Sequence, residues 1–289
     1  MTAHLTSYPS VVSGAVLEDV QGRSDTRGIV IDEVGICGLR YPIAVWDQAH
    51  AKQDTIAEIS LAVALPAEVK GTHMSRFLEI LHEHSGELTQ RTISDLLRQI
   101  RGRLYTNDAQ ITIAFPYFLP RSAPVTGATA LMDYACQFQA RLSPDGLQFT
   151  LQVAVPVTSV CPCSKAISDY GAHNQRGTIT IAVTPQQRDD DPELIWFEEL
   201  IALAETASSS PVYPLLKRAD ERHVTMAGYD NPVFVEDMVR EVASHLHADE
   251  RVAAFSVEAV NDESIHNHAA FARLSRPASP PRGRDTARS

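Results

Sequence analysis

Two cysteines, Cys161 and Cys163, flank a single proline, and His173 follows Cys161 by twelve residues. A thiolate together with an imidazole suits Zn²⁺ and, less selectively, Fe²⁺ or Mn²⁺. A cysteine nucleophile is also possible, and two small buried side chains beside a surface histidine are the non-functional interpretation. If the stretch holds a metal, one cysteine is the ligand and the other is free, because paired zinc ligands are usually spaced more widely.

A dense cluster of acids and bases spans residues 217–223, after the proline-bounded stretch PVYPLL. Asp220 or Glu221 is a candidate carboxylate ligand, and Lys217 and Arg218 are candidates for binding an anion. A solvated charged loop is the competing interpretation.

A third cluster, NDESIHNH, places two acids and two histidines within residues 262–268. Histidine is the side chain most easily tuned for proton transfer near neutral pH. Glu263, His266 and His268 are therefore candidates for catalysis or metal binding.

Two helix starts carry weaker signals. Glu236 lies near the beginning of the last predicted helix, where a carboxylate also stabilises the helix dipole without any further role. His73 and Arg76 precede or open an earlier helix, a position that favours anions.

The composition limits the class of protein. The chain has 289 residues, 44% hydrophobic and 21% charged, which is typical of a globular protein. A net charge of −11 disfavours a general nucleic-acid surface, so any anion site needs basic residues gathered locally. Four cysteines in this length do not indicate a disulfide framework, and we see neither a signal peptide nor a membrane helix. We expect a cytoplasmic protein with reduced thiols.

The hydrophobic periodicity predicts the same order of elements twice, ββααββ in each half. Helices are predicted over residues 76–84, 92–104, 193–206 and 232–247, the last with Asn231 as its cap and Pro232 in its first turn. This pattern predicts an α+β protein, with antiparallel sheets that carry helices on one face. We predict a flexible N-terminal arm (1–28), two modules (29–145 and 146–274) and a disordered tail (275–289).

Taken together, the stretches SVCPCSKAISDYGAHNQRG, PVYPLLKRADERHVT, NPVFVEDMVREV, NDESIHNH and GTHMSRF resemble the type IB GTP cyclohydrolase family. The resemblance extends from about residue 28 to residue 274. It implies tandem tunnelling-fold (T-fold) modules and a homotetramer with active sites at subunit interfaces. It also implies conversion of GTP and water to 7,8-dihydroneopterin triphosphate and formate, the first step of tetrahydrofolate biosynthesis.

The resemblance also implies roles for individual residues. One divalent metal (Zn, Mn or Fe) would be held by Cys161, His173 and Glu221, and would activate water for attack on guanine C8. His266 and Glu263 would lie beside it as catalytic groups or further ligands, and Cys163 would be a second thiol near the substrate. The substrate-binding set would contain the guanine anchor Glu236 and the triphosphate candidates Lys217, Arg176, Lys165, Arg76 and His73.

Three other functions remain open from the sequence. An NADPH-dependent nitrile reductase of queuosine synthesis shares the implied fold but uses a cysteine nucleophile and no metal. A non-catalytic zinc protein would use the same ligands with four protein donors around the metal. A thiol redox protein would need a strained disulfide between Cys161 and Cys163.

Overall fold

The computed structural model describes residues 19–49, 51–84, 87–188 and 191–277. Residues 1–18 of the predicted arm (1–28) and residues 278–289 of the predicted tail (275–289) lie outside these ranges. The described part of the arm is attached to the domain, because Ser24 forms a bridge with Val69 and the Asp25 amide donates to the Glu68 carbonyl at 2.9 Å.

The first half has the predicted order of two strands, two helices and two strands. Its elements are β1 (Ile31–Asp47), β2 (Ala51–Leu65), α1 (Met74–Glu83), α2 (Thr92–Leu104), β3 (Ala109–Ser122) and β4 (Thr129–Ser143).

The second half contains additional elements between its strand pairs. Its elements are β5 (Gly146–Val160), α3 (Pro162–Ile167), β6 (Asn174–Pro185), β7 (Gln187–Arg188), β8 (Asp191–Pro192), α4 (Phe197–Thr206), β9 (Ser210–Pro211), α5 (Arg218–Asp230), α6 (Val235–Ala248), β10 (Val252–Asn261) and β11 (Ala270–Arg276). The simple ββααββ order therefore describes the first half, whereas the second half adds α3, α5 and short strands to it.

A single nine-stranded antiparallel sheet runs through both halves. Its strands follow the order β1-β2-β3-β4-β5-β6-β10-β11, and the short β9 pairs with β5. The halves are joined through β4 and β5, whose two-residue turn lies between Ser143 and Gly146. Gly146 has φ +117°, a backbone conformation that favours glycine.

One continuous hydrophobic core lies between this sheet and its helices. Side chains alternate along each strand, so that Ile111, Ile113 and Phe115 of β3 are buried while Thr112 and Ala114 face the other side. Helix α2 contributes buried leucines and isoleucines from its apolar stripe, and α6 contributes buried valines, Met238 and Leu246 in the second half. None of the helices within the described ranges has the length and apolar character that crossing a bilayer requires.

Three helix predictions need correction. The helix predicted from residue 193 begins at Phe197, because residues 193–196 connect the end of the β7–β8 ribbon at Pro192 to the helix, with Trp196 as its N-cap. The final helix has Phe234 as its N-cap, while Asn231 instead ends α5. Residues 218–230, for which the sequence leaves a solvated charged loop as the alternative, form helix α5.

Candidate functional site

Cys161 lies where β5 ends and α3 begins. It is the N-cap residue of α3, with Pro162 in the first helical turn, and its Sγ accepts a hydrogen bond from the Ser164 amide at 3.5 Å. Cys161 is half-buried, whereas Cys163 is exposed, and both are free thiols. The turn into the helix therefore separates the two thiols that a continuous strand would place on the same side.

The backbone of His173 lies directly beside that of Cys161, although the two residues are twelve positions apart in the chain. The last β5–β6 pair is Val160 with Asn174, and the Cys161 amide donates to the His173 carbonyl at 3.1 Å. The Ser164 hydroxyl accepts from the His173 amide at 3.1 Å, which folds the connection back over α3. The strand ladder thus places a thiol and an imidazole on adjacent backbone positions.

The His173 ring has two defined neighbours on one of its nitrogens. Nδ1 lies 2.9 Å from Gln175 Oε1 and 3.9 Å from Glu263 Oε2. An Nδ1–H donated to Gln175 leaves Nε2 as the nitrogen with a lone pair for a metal. The sequence analysis did not single out Gln175. Its position, two residues after His173 at the start of β6, nevertheless predicts that the two side chains share a face.

Glu263 reaches this position because β10 ends beside the start of β6. Asn261 pairs with Gly177, and the Asp262 amide donates to the Arg176 carbonyl at 2.9 Å. A Cβ on Gly177 would lie 2.3 Å from Asn261 Oδ1, so a larger residue there would force the Asn261 side chain to move. The side chains of His173 and Glu263 are only 13% and 14% exposed, so their contact is largely shielded from solvent.

His266 and His268 lie on the connection from β10 to β11. Their rings stack with centroids 5.1 Å apart and an interplanar angle of 17°. Both residues are exposed, so their nitrogens are accessible to a ligand.

Helix α5 separates its two candidate carboxylates. Asp220 is fully buried and accepts hydrogen bonds from protein donors on both oxygens, whereas Glu221 is exposed. Burial opposes the charged form of Asp220, but hydrogen bonds from Thr126, Lys217 and Val125 outweigh it and hold its pKa well below the usual range. Of the two, Glu221 is the carboxylate that remains available to a metal.

The predicted ligands do not converge within one chain. Across the described ranges, no three His, Cys, Asp or Glu side chains are grouped closely enough to hold a metal ion. Glu221 lies in the first turn of α5, two turns before Gly228, the residue that packs near Val160 at the end of β5. Cys161 and His173 nevertheless fit a divalent metal, because they combine a thiol and an imidazole with an outer partner in Gln175.

The predicted substrate residues are distributed over both halves. Lys165 donates to the Tyr229 carbonyl, and its Nζ lies 4.3 Å from the centre of the Tyr229 ring. Glu236 is exposed in the first turn of α6, where Asp237 rather than Glu236 caps the helix by accepting from the Phe234 amide. Arg176 and Lys217 are likewise exposed.

His73 and Arg76 belong to the first half. His73 is the N-cap residue of α1 and its Nε2 lies 3.3 Å from Asp19 Oδ2, while Arg76 donates to the Arg103 carbonyl at 3.0 Å. Their described contacts are therefore with the first half and the N-terminal segment, and the second-half cluster is formed without them.

Comparison with known proteins identifies close relatives. Proteins named GTP cyclohydrolase FolE2 match this chain at 49% identity over 263 residues in Methylococcus capsulatus and at 48% over 260 residues in Nitrosococcus oceani. The first alignment covers 91% of this chain and 96% of its relative, and the second covers 90% and 95%.

A solved structure of urate oxidase from Bacillus sp. TB-90 has a similar fold, with a TM-score of 0.50 at 7% sequence identity. That match covers 86% of this chain and 99% of the urate oxidase, and it bears on the fold alone.

The family model described as type I GTP cyclohydrolase folE2 matches residues 17–272, which include every predicted site residue. The chain therefore belongs to the type I GTP cyclohydrolase folE2 family.

Proposed function

We propose that this protein is a metal-dependent GTP cyclohydrolase I, which converts GTP and water to 7,8-dihydroneopterin triphosphate and formate and so opens tetrahydrofolate biosynthesis. The observation that carries the proposal is the pairing of Cys161 with His173, with Glu263 Oε2 3.9 Å from the imidazole. This cluster lies in a chain about half identical to proteins named as cyclohydrolases of GTP.

One divalent metal, Zn, Mn or Fe, would be held by Cys161, His173 and Glu221. When bound, such an ion supplies a water of lowered pKa for attack on guanine C8. Gln175 keeps the His173 ring oriented by accepting from Nδ1, which preserves Nε2 as the donor atom.

The remaining residues would bind the substrate and move protons. His266 would protonate the nitrogen that leaves C8 when the imidazole ring of guanine opens. Glu263 would act with His266 as an acid or base. Glu236 would accept hydrogen bonds from the N–H edge of guanine, and Cys163 would lie near the reacting ring. Lys165, Arg176 and Lys217 would neutralise the triphosphate in a chain of net charge −11.

We propose that the two halves are tandem tunnelling-fold modules and that four chains form the active assembly. Within the described part of one chain, Cys161, His173 and Glu221 are not grouped closely enough to hold a metal ion, and His73 and Arg76 make their contacts in the first half and the N-terminal segment. Strands β1 and β11 are the two edge strands of the sheet, and in such an assembly their backbone groups would pair with a neighbouring copy. Sites at subunit interfaces would bring the separated candidates together.

The experiment that tests this function is metal reconstitution. The purified protein is stripped with chelator and reloaded separately with Zn²⁺, Mn²⁺ or Fe²⁺. It is then given GTP, and formate is measured together with pterin fluorescence after oxidation. We expect metal-dependent release of both products, abolished in Cys161→Ala and retained in Cys37→Ala, which removes an exposed thiol from β1.

Two results would redirect the assignment. Stoichiometric metal binding without turnover by any of the three ions would favour a structural zinc protein. Reduction of a nitrile by NADPH in the metal-free protein would favour the nitrile reductase chemistry.

A further inference from the structure

Helix α5 is held in place by an unusual pair of anchors. It spans thirteen residues, yet its buried residues are Asp220 and Gly228. Most helices are stabilised by packing an apolar face against the core. A helix without such a face depends on its few specific contacts for its position.

The C-terminal end of α5 is anchored to the second half. Gly228 packs beside Val160 and Ser210, and a Cβ there would lie 3.8 Å and 3.7 Å from their side chains. The Asn231 side chain donates to the Ser208 carbonyl at 3.0 Å. These contacts fix one end of the helix beside the strand that leads into Cys161.

The N-terminal end is anchored to the first half by Asp220. Its Oδ1 accepts from the amides of Val125 and Thr126 at 2.8 Å and 2.9 Å, and its Oδ2 accepts from the Thr126 hydroxyl at 2.7 Å. Oδ2 also accepts from the Lys217 amide at 2.9 Å, within the helix's own first turn. Hydrogen bonds to an ionised carboxylate are stronger than those between neutral groups.

The partner of Asp220 is a well-defined turn between β3 and β4. The Ala123 amide donates to the Ala128 carbonyl at 2.9 Å, and the Gly127 amide donates to the Ala123 carbonyl at 3.0 Å. Gly127 has φ +68°, which suits glycine. Asp220 therefore joins the first turn of α5 to a hydrogen-bonded turn nearly a hundred residues earlier in the chain.

Two candidate functional residues flank this anchor. Lys217 donates its amide to Asp220, and Glu221 follows Asp220 directly, with its own amide bonded to the Lys217 carbonyl at 2.9 Å. Both side chains are exposed, while the carboxylate between them is buried. Any rotation of this first turn moves both side chains together.

We propose that Asp220 is a positioning residue, which sets the placement of Glu221 and Lys217 by clamping α5 to the β3–β4 turn. This inference rests on the proposed function, in which Glu221 binds the metal and Lys217 the triphosphate. Small displacements of such groups are costly, because reactivity depends steeply on alignment.

The sharpest test uses Thr126, which is exposed and belongs to the other half of the chain. Thr126→Val removes one donor to Asp220 with little change in shape, and Thr126→Ser retains it. We expect Thr126→Val to lower kcat/KM for GTP about threefold and Thr126→Ser to leave it unchanged. Asp220→Asn, which cannot accept all four hydrogen bonds, should lower kcat/KM at least about tenfold.

Readouts beyond activity separate positioning from loss of folded protein. We expect Asp220→Asn to raise the KM for GTP, to weaken Zn²⁺ binding in equilibrium titration and to speed amide hydrogen exchange over residues 217–222. Glu198→Gln is the matched control. Glu198 also joins a second-half helix to the first half, through Tyr117 Oη at 2.7 Å, without touching α5. The Glu198→Gln substitution should lower the melting temperature while leaving the KM for GTP and the affinity for Zn²⁺ unchanged.

The outcomes separate the two proposals. Faster exchange over 217–222 with unchanged KM and Zn²⁺ affinity would overturn the positioning role while leaving the cyclohydrolase assignment intact. A wild-type protein that does not convert GTP would overturn the proposed function and, with it, the role of Asp220 in that reaction. Slow exchange retained in Asp220→Asn would overturn the clamp itself.

Discussion

The two halves of the sheet differ most in how their paired strands are connected. In the first half, β1 ends at Asp47 and β2 begins at Ala51, and β3 and β4 are joined by residues 123–128. In the second half, residues 161–173 join β5 to β6 and residues 262–269 join β10 to β11. The longer connections carry Cys161, His173, Glu263, His266 and His268. A similar scaffold thus acquires candidate chemistry through the segments at its strand ends.

The helices show the same contrast. Helices α1 and α2 bury apolar stripes, as do α4 and α6, whereas the additional α5 buries an aspartate and a glycine. Four helices therefore serve the core, and α5 presents charged residues at the surface. The comparison predicts that substitutions in residues 161–173 and 262–269 impair function. Substitutions of core residues in either half should impair stability alone.

The largest effect is expected for His173→Ala. Loss of a residue that hydrogen-bonds to a metal ligand typically costs ten- to a hundredfold, so loss of the proposed ligand itself should lower kcat/KM about a thousandfold. His82→Ala is the matched control, since it removes an exposed histidine from the first-half helix α1. Metal content per chain and turnover of GTP are the measurements. Full metal binding and turnover in His173→Ala would remove the functional difference between the halves.

A second prediction compares the two cores directly. Leu97 of α2 and Leu246 of α6 are both buried, at 0% and 3% exposed, so replacement by alanine should cost about 3 kcal/mol of unfolding free energy in either half. Urea unfolding measures the loss, and metal content should stay at the wild-type level. If one substitution lowered the unfolding free energy several times more than the other, the cores of the two halves would not be equivalent in packing.

The smallest effect concerns acid stability. The folded-state pKa of Asp220 is depressed, so its contribution to stability is present above the ordinary aspartate pKa of about 3.9 and is lost as the pH falls toward the folded value. The stability difference between wild type and Asp220→Asn should therefore shrink as the pH is lowered from about 5 toward 2. Urea unfolding at each pH tests this, and a difference that stays constant would contradict it.

The sequence predicted best where one physical signal dominates. The stripe of Ile93, Leu96, Leu97 and Ile100 predicts α2 with the same ends that the structure has, because burial of an apolar face decides where that helix lies. The final helix was placed a few residues too early, since the signal of Asn231 followed by Pro232 marks the end of α5 and the linker instead.

The candidate site was predictable by residue type but not by geometry. The pairing of Cys161 with His173 depends on the β5–β6 register, and the neighbouring Glu263 depends on β10 lying beside β6, which are long-range contacts. Asp220 and Glu221 are adjacent acids of similar chemistry, and only the packing against Thr126 distinguishes the buried one from the exposed one. Helix α5 has no periodic apolar signal from which it could have been predicted.

The tight turn between β4 and β5 also has a consequence for how the molecule unfolds. Because the two halves share one hydrogen-bonded ladder there, with paired residues from Ala135–Ala154 to Ser143–Gly146, unfolding of either half would leave this paired segment of the other half without its neighbouring strand. The halves are therefore not separate cooperative units, and partly unfolded molecules that retain one half intact would be poorly populated at equilibrium. A loss of packing in the first half would then unfold the connections that carry Cys161, His173 and Glu263 in the same transition.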